Sequence, residues 1–151
     1  MVTVQITQSF DAVQVSLPEI EKLVKAVCKR FNLPDAAVSI AIVDDKEITE
    51  LNKKFLNRDS VTDCLSFDLS NEDDLPKSFE LVVNAQKAVK EAKLRGHSDK
   101  AELALYITHG LLHNLGFDDT SPEQAKKMHD TEDEILKQQG FGLVYNREIK
   151  Q

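Results

Sequence analysis

Thr108-His109-Gly110-Leu111-Leu112-His113-Asn114-Leu115-Gly116-Phe117-Asp118-Asp119 superimposes a helical pattern and a ligand pattern. Apolar residues recur at helical spacing from about Asp99 to Leu115, and Gly116 follows as the residue that most cheaply takes the left-handed conformation after a helix. His109 and His113 are four residues apart, so both imidazoles leave one helix face a turn apart. That spacing lets two ring nitrogens reach one ion at about 2.0–2.1 Å. The chain can turn back at Gly116, which offers Asp119 as a third ligand, while the neighbouring Asp118 is expected to bond within the turn. Three protein ligands leave a coordination position open, the arrangement of a catalytic rather than a structural site.

Working outward, the remaining elements alternate between strand and helix. Val2 to Thr7 alternates apolar and polar residues, and Val38 to Val43 is an apolar run suited to a buried strand. Further strands are expected at Cys64 to Leu69 and at Glu80 to Val83, with Ser70 to Ser78 as an acidic, turn-rich loop. Ser16-Leu-Pro-Glu19 is a capping box opening a helix whose face is marked by Leu17, Ile20, Leu23, Val24, Val27 and Phe31. Helices follow at Lys46 to Phe55, Ala85 to Leu94 and Asp99 to Leu115. A last helix runs from Thr120-Ser-Pro-Glu123 to Gln139, with Ala125, Met128, Ile135 and Leu136 inward. Four strands and five helices in this mixed order predict an α+β fold, a small mixed sheet flanked by helices, as one domain over residues 1–151.

Hydrophobic residues at 41% and charged residues at 30% describe a globular chain rather than a disordered one. Its apolar stretches fall short of the roughly 20 residues that cross a bilayer, and Met1 to Ile6 lacks the pattern of a signal peptide. Cys28 and Cys64 read as unpaired buried thiols, which fits a reducing cytoplasm. A net charge of −7 argues against a protein that coats nucleic acid non-specifically, although a local basic cleft remains compatible with it. His129 reads as a surface histidine, and His97 belongs to no constellation.

The histidine segment is similar to the long zincin motif, but a zinc protease of that type carries a glutamate after the first histidine as general base. Here that position is Gly110, so a metallopeptidase lacks its base. A more extensive likeness runs along nearly the whole chain. His109-Gly-Leu-Leu-His113-Asn-Leu-Gly116-Phe117-Asp118-Asp119 resembles the signature of the YbeY family of bacterial metal-dependent endoribonucleases. Leu51-Asn52 and Thr62-Asp63-Cys64-Leu65-Ser66-Phe67 resemble its second block, Glu80-Leu-Val-Val-Asn84 stands in the place of its third, and Met128, Glu132 and Gly140 fall where it keeps a final helix. Three departures from the family pattern stand out: Asp119 replaces a third histidine, Leu56 an arginine, and Phe79-Glu80 a Gly-Asp pair.

The resemblance implies a four-stranded α+β fold, one zinc ion and cleavage of single-stranded rRNA. It also implies work on the small ribosomal subunit, in 3′-end maturation and ribosome quality control. Nickel or iron suits the same donor atoms. On this reading His109, His113 and Asp119 hold the ion, with Arg58 the guanidinium nearest the place of the missing arginine. Lys53 and Lys54 would neutralise RNA phosphates, unless they and Arg58 are only a solvated helix end. Asp63 or Glu80 would act as base or hold a histidine's second ring nitrogen. The alternative from another class is a ribosome-associated binding module whose nuclease activity has decayed.

Overall fold

The computed structural model describes residues 1–142 apart from positions 12, 72, 74 and 75. Strand β1 (Val2–Gln8) leads through α1 (Leu17–Arg30) to β2 (Ala36–Val43), and α2 (Asp45–Leu56) to β3 (Cys64–Asp68) and β4 (Lys77–Asn84). Three helices follow: α3 (Ala85–Arg95), α4 (Asp99–Asn114) and α5 (Pro122–Gln138). Each helix begins at a residue whose side chain accepts the N–H three positions on: Ser16, Asp44, Asn84, Ser98 and Ser121. These caps satisfy backbone donors that the helix itself leaves unpaired.

The sheet order is β1-β2-β4-β3, with β1, β2 and β4 parallel and β3 antiparallel to β4. Among the described residues the α+β fold, the mixed four-stranded sheet and the five helices agree with the expectation from sequence. The expected loop at 70–78 is shorter, because Lys77 and Ser78 already pair with Ala36 and Ala37 of β2. Ser70 further secures that corner, its hydroxyl accepting the Ser78 N–H at 2.6 Å. The loop's positions 72, 74 and 75 lie outside the described residues.

Alternation along the strands divides the core. Val38, Ile40, Ile42, Phe79, Leu81 and Val83 belong to the larger cluster with α1, α4 and α5. Val43, Leu65 and Val82 face the other way and pack with Ile48 of α2. Helix α4 is buried on nearly all sides and runs over the larger-cluster face of the sheet. Among the described residues no helix is long and apolar enough to cross a membrane. Cys28 is buried, Cys64 half-buried, and both are unpaired thiols.

Candidate metal centre

Helix α4 ends in a Schellman turn that also builds the site. Phe117 N–H donates to the Leu112 carbonyl at 2.9 Å and Gly116 N–H to that of His113 at 3.1 Å. Gly116 has φ +98°, a conformation that glycine adopts without a side-chain clash. The carbonyl of Phe117 then points back and accepts His113 Nδ1–H at 3.1 Å. Asp118 stays within the turn, accepting Asp119 N–H at 2.7 Å and the Thr120 hydroxyl at 3.1 Å. Asp119 is thereby left to face the histidines.

On the neighbouring helix α5, Glu132 is fully buried, and its Oε2 accepts His109 Nδ1–H at 3.0 Å. Both imidazoles therefore have Nδ1 bound to a group that only accepts, which assigns the proton to Nδ1 and the lone pair to Nε2 in each neutral ring. The two Nε2 atoms stand 3.1 Å apart, each 3.8 Å from Asp119 Oδ2. Two lone pairs and a carboxylate oxygen so close together repel unless a cation lies among them. Donors bound to one tetrahedral ion at about 2.0–2.2 Å stand roughly 3.3–3.5 Å apart. The residues present thus fit a metal ion, and His109, His113 and Asp119 form a cluster able to hold one. Their side chains are 18%, 31% and 41% exposed, so such an ion is held from one side and open on the other.

The second oxygen of Glu132 accepts His129 Nδ1–H at 2.5 Å, and the His129 ring stacks on His109 with centroids 6.0 Å apart. His129 is therefore no surface histidine: the α5 spacing of three residues from His129 to Glu132 turns both toward α4. Burial lowers the pKa of His109, but the Glu132 hydrogen bond and the charges of Glu132, Asp63 and Asp119 outweigh it, so the net shift is upward. A cleft of about 180 Å³ adjoins the cluster, lined by Asp63, Tyr106, His109, His129, Glu132 and the cations Lys87 and Arg95 among others. At its far end buried Glu102 pairs with His97 and, at 3.5 Å, with Arg95. His97, which the sequence assigned to no constellation, belongs to that buried network.

Of the residues singled out in the sequence, the structure brings His109, His113 and Asp119 together and places Asp63 on the wall of the cleft that His109 also lines. Lys53, Lys54 and Arg58 are exposed at the end of α2 and do not line that cleft. Glu80 lies on the sheet face occupied by α2, paired in register with Phe67, so the partner of His109 is Glu132 instead. A signal for Glu132 was present: it interrupts the inward stripe Met128, Glu132, Leu136 with a carboxylate, and a buried acid needs a partner.

Gly110 explains why this helix is not that of a zinc protease. A Cβ at this position would lie 2.7 Å from Cys64 Sγ and 2.9 Å from Leu81 Cδ2. Position 110 therefore faces the sheet rather than the open side of the cluster, and has no room for a glutamate.

Comparison with known proteins gives the chain a family. A family model described as Endoribonuclease YbeY matches residues 5–140. The chain is 37% identical over 135 residues to the Endoribonuclease YbeY of Macrococcus caseolyticus, covering 84% of this chain and 86% of the relative. It is 36% identical over 139 residues to that of Carboxydothermus hydrogenoformans, covering 91% and 97%. The solution structure of TM1509 from Thermotoga maritima shares the fold, with a TM-score of 0.59, 24% identity and 91% of each chain covered.

Proposed function

The chain belongs to the endoribonuclease YbeY family, whose members are hydrolases acting on RNA in rRNA maturation, and from that membership we propose that it cuts single-stranded rRNA at the histidine cluster of α4. The observation that carries this reading is the convergence of His109 Nε2, His113 Nε2 and Asp119 Oδ2 on one point, beside a cleft that His109 also lines. His109, His113 and Asp119 would hold a zinc ion, which would supply Lewis acidity toward a phosphoryl oxygen and toward water.

The chain's own residues do the rest. Glu132 and the Phe117 carbonyl hold the two imidazoles with their Nε2 atoms forward. Asp63, on the cleft wall, accepts a proton from water or orients it. Arg58, Lys53 and Lys54 neutralise phosphates of the flanking strand along α2. The substrate is the 3′ region of small-subunit rRNA, which places the protein in the cytoplasm and at the small ribosomal subunit. Peptide hydrolysis is disfavoured by the crowded position 110.

The test is cleavage of a single-stranded oligoribonucleotide by zinc-loaded protein and by His113→Ala. Loss of cleavage in the variant is expected, and equal rates would overturn the reading. Ribosome co-sedimentation of the parent without cleavage, at saturating zinc, would favour a binding module instead.

A further inference from the structure

On the sheet face away from the histidines, α2 leaves a groove of about 240 Å³ over β3 and β4. Its walls are Leu51, Phe55, Phe67, Leu69 and Val82, and Glu80 rises among them from β4. Phe55 is 57% exposed and Leu69 61%, although both are large apolar side chains at the edge of a core. Phe55 is braced by an edge-to-face contact with Phe67 at 5.9 Å, and Lys54 Nζ sits 5.3 Å from its ring centroid. Lys53 and Arg58 flank them on the same short stretch of chain.

Three chemistries thus meet here. Among the described residues the polar side chains lining the groove are both acceptors, Glu80 and Glu47; Glu47 accepts the Ser9 hydroxyl at 2.6 Å, whereas the Glu80 carboxylate has no hydrogen-bond or ion-pair partner among the described residues. The walls are apolar and aromatic, and the adjoining end of α2 is cationic. A basic peptide suits the carboxylates but is repelled by the lysines, and an acidic peptide suits the lysines but is repelled by the carboxylates. A nucleotide answers all three: a flat base for Phe55, N–H donors on its edge for Glu80, and a phosphate for the cations. The volume suits one base, being smaller than the roughly 300 Å³ at which drug-sized pockets begin.

We infer that this groove binds one unstacked base of single-stranded RNA, with Phe55 as its stacking platform and Glu80 reading its edge. The inference rests on the RNA-cleaving reading above and adds an anchoring subsite on the other sheet face. Guanine is the preferred base, because its N1–H and 2-amino group lie side by side and match the two oxygens of one carboxylate. A base held there fixes the strand away from the cut, so the groove acts on binding rather than on the chemical step.

The test uses fluorescent single-stranded oligoribonucleotides that contain either guanosine or inosine, which lacks the 2-amino group. Their affinity is read by anisotropy with chelator-treated protein, and KM and kcat are read separately with zinc-loaded protein. Phe55→Ala is expected to weaken binding and raise KM about tenfold with kcat unchanged, in line with the loss of one stacked base. Glu80→Gln is expected to abolish the preference for guanosine over inosine while leaving the melting temperature and zinc content unaltered. If the parent cleaves RNA but both variants bind and cut like it, the groove is no base site and the function above stands. If the parent binds these RNAs in the expected pattern yet never cleaves, the groove stands and the nuclease reading falls. Loss of a protein partner by Phe55→Ala with RNA affinity unchanged would overturn the inference in favour of a protein-docking face.

Discussion

Glu132 on α5 and His109 on α4 are joined by a hydrogen bond of 3.0 Å between a fully buried carboxylate and a ring Nδ1. The bond sets the tautomer of His109 and aims its Nε2 at His113 and Asp119. Partners of this kind typically account for about 10–100-fold in metal affinity. Glu132→Ala is therefore expected to weaken zinc binding by about that factor. It should also lower stability by about 1–3 kcal/mol, since His109 and His129 each lose a buried acceptor. Glu132→Gln keeps one acceptor oxygen and should lose less of both. Competition with a chromophoric chelator measures the affinity and urea denaturation the stability; a Glu132→Ala protein with parental affinity would remove Glu132 from the site.

The same bond gives the metal-free protein a dependence on pH. His109 is held above its usual pKa of 6.5 in the folded chain, against the effect of burial, by Glu132 and the neighbouring carboxylates. A raised folded pKa means that the protonated ring stabilises the fold. That contribution is complete below about pH 6.5 and fades as pH rises through the folded value. Zinc binding runs the opposite way, because the ion competes with the proton and is favoured as His109 deprotonates. Urea melts of chelator-treated protein across about pH 6 to 8.5 should show a falling contribution that His109→Gln removes. Parallel curves for the parent and the variant would show that His109 does not carry the effect.

The strands, helices and histidine pair were legible because each is written locally. Alternation marks β1, caps and stripes mark the helices, and a four-residue spacing marks one helix face. The start of β4 was missed because Lys77 and Ser78 look like loop residues and become strand only by pairing with β2. The order β1-β2-β4-β3 is likewise a matter of long-range pairing. His129 was misjudged and Glu132 was given no role for a related reason: their partner lies in another helix, reached across 23 residues of chain from His109 to Glu132. Glu80 had the chemistry for a partner of His109, but the two-residue period of β4 turns it to the opposite face.

Asp119 separates ligation from stability. Its side chain is 41% exposed and lies in a turn held by Asp118 rather than by itself. Asp119→Ala should therefore change the unfolding free energy by no more than about 0.5 kcal/mol. The same substitution leaves only two protein donors and should release zinc at concentrations that saturate the parent. Asp119→His supplies a neutral donor and should retain the ion. Elemental analysis of the three purified proteins decides it: metal content in Asp119→Ala equal to that of the parent would exclude Asp119 as a ligand.

Gly110 tests whether the helix sits where it does for lack of a side chain. Within α4, replacing glycine by alanine gains up to about 1 kcal/mol in helix propensity. Against this stand contacts of 2.7 Å with Cys64 Sγ and 2.9 Å with Leu81 Cδ2, both inside ordinary van der Waals separation. Leu81 is wholly buried and cannot withdraw without disturbing its neighbours, whereas Cys64 can rotate about one bond. Overpacking of this kind costs about 1–3 kcal/mol, so Gly110→Ala is expected to be destabilising on balance by about 1 kcal/mol. Cys64→Ala in the same chain removes the nearer obstacle and should return part of that loss, a coupling that a double-mutant cycle reads directly. The alanine also presses α4 away from β3 and β4 beside His109, so zinc affinity should fall in Gly110→Ala and recover in the double variant. Equal stability of Gly110→Ala and the parent would mean that the helix propensity gain outweighs the contacts, and that the sheet yields at this point.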